Sequence, residues 1–213
     1  MHKHKRSCAK RASYNSNSGY AGKPNRPHGK RRAGCRIHRK RAKRHVVRRH
    51  VSSGACSNVQ LRPSATNIAL IDAATLCLVN RERTSRGERA LRADVDLQHA
   101  AQTHSAEMAA GDYFDHIGPS GSTPLTRMRA AGYIFSSHIG YAIGENIAWG
   151  TLWLATPKAI VAGWMASPGH RANILDHAFT ETGVGVSPHP ISSLARGESG
   201  AIYTQDFGTL IRG

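Results

Sequence analysis

The sequence predicts an α+β domain on an antiparallel sheet, preceded by a disordered basic tail. Two observations carry this. Segments with helical spacing come first and strand-like segments cluster late, an order that suits helices packed on an antiparallel sheet rather than alternating β-α-β units. Charge is also unevenly placed. Of the 30 Lys and Arg residues behind the net charge of +17, 19 lie in residues 1–66, where there is no Asp or Glu. Residues 67–213 hold 11 basic and 13 acidic residues, a net of −2. The expected boundary places the tail at 1–60 and one domain at 61–213.

The tail contains "RRAGCRIHRKRAKRHVVRRH" and "SYNSNSGYAGKPNRPHGKRR". No helical or strand period persists in it, and such a stretch buries too little apolar surface to offset its ordering entropy. The plain expectation is a solvated tail or a misassigned start; the alternative is salt-dependent contact with polyanions. No run approaches the ~18 apolar residues of a membrane span. A positive start is present without the apolar stretch of an export signal, and nothing apolar follows Arg31-Arg32 as a twin-arginine signal requires. Cys8 and Cys35 fall in the tail, while Cys56 and Cys77 bracket the junction with the domain. A Cys56–Cys77 bridge would close a loop of about twenty residues and indicate an oxidising compartment. The alternative is two unrelated thiols.

The first helix starts near Thr66 or Asn67, after Pro63, with Ile68, Ile71, Thr75 and Leu78 at helical spacing, and fades at Gly87. The second follows Asp94, carries Leu97, Ala101, His104 and Met108 on one stripe, and ends at Gly111. The loop "DYFDHIGPSGS" leads to a short helix capped by Thr123 with Pro124 at its first position. Residues 133–144 read as irregular and "ENIAWG" as a short strand. A fourth helix repeats the device at Thr156-Pro157 and buries Ile160, Val161 and Trp164. It breaks at Ser167-Pro168, where the residue before proline avoids the helical region. Residues 183–188 and 201–207 read as strands, joined by a polar loop.

Seven histidines lie in the domain. His104 belongs to an apolar stripe and reads as a hydrogen-bonded core residue. His99, His177 and His189 read as surface residues, and His138 as a loop residue. His116, in an aromatic, glycine-containing loop, and His170, after a tight Pro-Gly pair, are the candidates for function. Glu145 stands inside an apolar stretch, where a carboxylate is costly unless paired. An imidazole partner would relieve that cost. Ser167 and His170 could also be nucleophile and base, but Ser-Pro-Gly-His reads more simply as a helix N-cap followed by the first turn, the hydroxyl accepting from a backbone amide. Arg171 and Asn173 read as braces for that helix. Trp149, Trp153 and Trp164 read as core or cleft wall.

The blocks "LVNRERTSRGERAL", "HAAQTHSAEMAAGDYFDHIGPSGSTPLTRMRAAGY", "GENIAWG", "WMASPGHRANIL", "TETGVGV" and "YTQDFG" occur in this order. Together they resemble the CAP superfamily of cysteine-rich secretory, antigen 5 and pathogenesis-related proteins, in its bacterial, secreted, single-domain form. The resemblance covers about residues 67–209. It implies a three-layer α-β-α sandwich with an open cleft holding two histidines and two glutamates. His116, Glu145 and His170 match three of these. The family's second glutamate corresponds to Ser167, and Glu181 is a further acidic candidate for the cleft. The resemblance also implies an extracellular or envelope location and a ligand that differs among members: a divalent metal such as zinc on the two histidines, or a small apolar molecule. A few members have been claimed as proteases, so a His/Glu-dependent or metal-assisted hydrolase is the alternative. Two histidines alone would hold zinc weakly. A monomer that binds a small ligand or an envelope component, without catalysis, is the expected function.

Overall fold

The computed structural model describes residues 55–211, and within 1–54 only the backbone of two short strands, β1 (Ser13–Asn15) and β2 (Gly19–Ala21), which pair antiparallel. The expectation of disorder for the rest of 1–54, with Arg31, Arg32, Cys8 and Cys35, lies outside the described residues. The domain begins before the expected boundary. Cys56 is bonded to Cys77, and the Val59 carbonyl accepts the Lys158 amide at 3.0 Å. Residues 55–60 thus belong with the fold.

Five helices and four strands make the body: α1 (Ile68–Ser85), β3 (Arg92–Ala93), α2 (Val95–Gly111), α3 (Pro124–Ala130), β4 (Gly140–Thr151), α4 (Pro157–Ala166), α5 (Pro168–Leu175), β5 (Glu181–Ser187) and β6 (Gly200–Ile211). A one-turn helix, α6 (Ser192–Ala195), sits in the loop before β6. The sheet order is β3-β5-β6-β4. Every pairing is antiparallel except the two-residue β3, which lies parallel to β5.

Alternation along the strands sorts the layers. Val184 and Val186 point into a core with Ile71 and Val79 of α1, Trp164 of α4 and Ile174 of α5. Between them, Gly183 and Gly185 face α2, whose backbone comes so close that an added Cβ would strike Leu97–Gln98 and Ala101–Gln102. Ser105 of α2 donates to the Gly185 carbonyl at 3.0 Å and shares a second hydrogen bond, of 2.8 Å, with the Thr204 hydroxyl. Beyond β3, the open edge of β5 is closed by a side chain: Gln102 accepts from the Val186 amide and donates to its carbonyl. The α-β-α sandwich is as expected.

Local chemistry explains the element ends. Asp94 caps α2 by accepting from the Asp96 and Leu97 amides. Thr123 and Thr126 form a reciprocal capping box on α3. The expected stop of α2 at Gly111 is displaced by one residue. Asp112 takes the left-handed position, φ 51°, and its carboxylate accepts the Ser193 amide at 2.9 Å. The larger correction concerns β4. Residues from Gly140 onward are not irregular; they form half of a twelve-residue strand paired with β6 along its whole length. Gly144 is no breaker there, since a Cβ would meet the Phe179 ring at 2.9 Å.

Candidate functional site

β4 is the outer strand on its side of the sheet, so groups arriving over either face can meet beside it. Glu145 sits mid-strand and fully buried. Three cations or imidazoles converge on it. The His116 Nδ1–H donates to Oε1 at 2.6 Å, Arg127 Nη2 of α3 donates to Oε2 at 2.7 Å, and His104 Nε2 of α2 stands 4.0 Å from Oε1. Burial pushes the Glu145 carboxyl up, but the His116 hydrogen bond and the charges of Arg127 and His104 outweigh it and hold the group below the usual carboxylate range.

The loop carrying His116 is clamped from both sides. Arg127 Nη2 also donates to the His116 carbonyl at 3.0 Å, and its Nη1 donates to the Ser122 carbonyl at 3.1 Å. Asp115 accepts the Ile117 amide through its side chain, while its carbonyl accepts the His104 Nε2–H at 3.0 Å. An ionised Glu145 only accepts, so His116 carries its proton on Nδ1 when neutral and keeps a lone pair on Nε2. Its side chain is 20% exposed, against 0% for Glu145.

His170 arrives from the opposite layer. It stands in the first turn of α5, and its carbonyl accepts Asn146 Nδ2 of β4 at 3.1 Å. Asn173, one turn on, donates to the Glu145 carbonyl at 3.2 Å and to Asn146 Oδ1 at 2.9 Å. The far end of α5 is held by the buried Arg83, which donates to the carbonyls of Ile174, Asp176 and Phe179. Burial, and then the nearby charge of His116, push the His170 imidazole below its ordinary value. It is therefore neutral at pH 7.

The remaining site residue expected from the sequence lies elsewhere. Glu181 pairs with Arg92 at 2.6 Å and accepts the Tyr133 hydroxyl at 2.8 Å, at the start of β5, which β6 separates from β4. Ser167 does occupy the N-cap position of α5, yet its hydroxyl makes no capping hydrogen bond, contrary to the expectation. Among the described residues no hydrogen bond joins it to the His170 ring. His104 is buried and hydrogen-bonded as expected, and the structure adds it to the edge of the Glu145 cluster. His99, His138, His177 and His189 are exposed. Trp153 is not core: it is 69% exposed, whereas Trp164 is buried and donates to the Ile147 carbonyl.

Two members of the cluster escape sequence reasoning. Arg127 lies on a short helix where an arginine looks like surface. Asp206 is the residue directly across from Glu145 on β6, fully buried, and neither carboxyl oxygen has a protein donor. Burial and the Glu145 charge push it well above the usual carboxylate range, so it keeps its proton and can donate it to Glu145. The signal that marks Glu145, an acid within an apolar strand, is equally present in "AIYTQDF".

A profile of the CAP, cysteine-rich secretory protein, family matches residues 76–207. The chain belongs to this family. The CAP domain is 38% identical over 130 residues to the uncharacterised protein YkwD of Bacillus subtilis, across 61% of this chain and 44% of that protein. A solved extracellular protein of Bacillus anthracis that contains an SCP domain is similar at 27% identity and a TM-score of 0.51, over 68% of this chain and 43% of that one. A solved outer surface protein of Borrelia burgdorferi shares the fold at 16% identity and a TM-score of 0.50, over 63% and 88% of the two chains. This chain thus spans less than half the length of the first two relatives. Its disulfide, Cys56–Cys77, is formed.

Proposed function

We propose that this CAP domain is a non-catalytic binding module working outside the cytoplasm, with His116 and His170 as the groups that contact its ligand, a divalent cation or a small molecule. The observation that supports this reading is the His116–Glu145 hydrogen bond. A buried carboxylate fixes the imidazole tautomer and turns its free nitrogen outward, an arrangement that suits metal-binding histidines. His170, kept neutral, can offer a second lone pair.

This donor set fits a divalent cation such as zinc, though loosely. Among the described residues no three His, Cys, Asp or Glu side chains converge as a cage. Two imidazoles with open positions give weak binding. When bound, the cation would supply a Lewis acid to whatever else enters the cleft. Glu145 and Arg127 are positioning residues here, and Asp206 stands behind them. The disulfide supports an oxidising compartment, and the extracellular Bacillus anthracis relative points the same way.

Calorimetric titration of zinc into the full chain tests the cation reading. Wild type should bind one ion, and the His116→Ala/His170→Ala variant should not. Equal binding by both proteins would remove the cleft as the metal site.

A further inference from the structure

The turn Leu152–Ala155, between β4 and α4, has no part in the cleft. It presents Leu152, Trp153 and Leu154 to solvent, 36%, 69% and 47% exposed. Single exposed apolar side chains are ordinary, but three in succession form a ridge that calls for an explanation. The backbone holds the ridge out. Leu152 sits at φ 51°, a left-handed conformation that a leucine rarely adopts. Its amide donates to the Ser199 carbonyl at 2.8 Å, and the Tyr203 hydroxyl donates to the Ala155 carbonyl at 2.7 Å. Gly150 allows the close return, since a Cβ there would strike the Leu154 carbonyl. The backbone of the turn is thus held at both ends.

A second feature meets the ridge at the same end of the domain. The Val59 carbonyl accepts the Lys158 amide in the first turn of α4, directly after the turn. Eighteen of the chain's 30 Lys and Arg residues precede Cys56, with no Asp or Glu among them. Exposed Lys158 follows the ridge in α4, and exposed Arg196 and Glu198 lie in the loop that leads to Ser199, whose carbonyl accepts the Leu152 amide.

We propose that the Leu152–Trp153–Leu154 ridge docks this protein on an anionic lipid bilayer, a surface whose charge complements the basic sequence ahead of Cys56. Apolar insertion and a polybasic segment are each marginal alone and add when they act on one surface. Tryptophan suits the headgroup level, where its ring is apolar and its N–H stays wet. No helix among the described residues is long and apolar enough to cross a membrane. The docking does not depend on what the cleft binds.

The test is co-sedimentation of the full chain with vesicles of phosphatidylglycerol in phosphatidylcholine, against vesicles of phosphatidylcholine alone. Wild type should bind the anionic vesicles and shift its tryptophan emission to the blue. Trp153→Ser/Leu154→Ser should lose at least about tenfold in partitioning, lose the shift and keep its retention on heparin. Trp153→Phe should restore binding to a Leu154-intact chain. Both replaced side chains are exposed, so the melting temperature should hold. Equal sedimentation of the double variant, absence of binding to anionic vesicles, or a lipid-free wild-type dimer that the variant dissolves would each overturn the proposal.

Discussion

Glu145 shows how a fully buried carboxylate is kept ionised. One oxygen accepts from His116 and the other from Arg127, and the neutral Asp206 stands across the strand pair. The folded-state value is depressed, so the group contributes stability above the unfolded carboxylate pKa and loses it as pH falls through the folded one. Glu145→Gln leaves Arg127 buried without its counter-charge and should cost about 3–5 kcal/mol in urea denaturation. Asp72 on α1 has the opposite sign. Burial raises it to about 7, against one opposing hydrogen bond from Gln98, and its Oδ1 has no partner. Its stabilising share is complete below the unfolded value and is lost as pH rises towards 7. Asp72→Asn should therefore match wild type in melting temperature near pH 4 and exceed it at pH 7.5. An unchanged difference between those two pH values would show that Asp72 does not titrate in that window.

At the scale of elements, legibility followed solvent exposure on one side. The stripe of Leu97, Ala101, His104 and Met108 revealed α2 because only one face of it is buried. β4 is covered on both faces, so its pattern carries no alternation, and its glycines resembled punctuation when they are sites of close packing. The site was legible where a residue type announces a cost, as Glu145 does, or where a turn marks it, as the Pro-Gly pair marks His170. Arg127 and Asp206 were silent because their meaning depends on strand pairing and helix placement. Ser167 suggested a side-chain cap, yet α5 begins without one, and Asn146 and Asn173 brace the helix instead. The closest layer contact yields a sharper expectation. Gly185→Ala would force α2 off the sheet and should destabilise by about 1–3 kcal/mol or more, visible as a lowered urea midpoint. Loss would be small only if α2 could slide, which the Ser105 and Gln102 bonds oppose.

For the whole molecule, the sheet is a partition with a distinct role on each side. α2 and α3 supply the polar cluster, while α1, α4 and α5 supply the larger apolar core and bring His170 to the outer strand. The disulfide spans a sequence separation of 21 and joins the start of the described chain to α1. Cys56→Ser/Cys77→Ser should cost about 3 kcal/mol, measured as the shift in urea unfolding relative to the oxidised wild type. The placement of that bridge also has a mechanical meaning. A pull on the chain ahead of Cys56 enters the body through a covalent bond midway along α1. It bypasses the hydrogen-bonded seam between β4 and β6. The load reaches His170 through the Arg83 contacts that tie α1 to the end of α5, while the strand that carries Glu145 is not in its direct line.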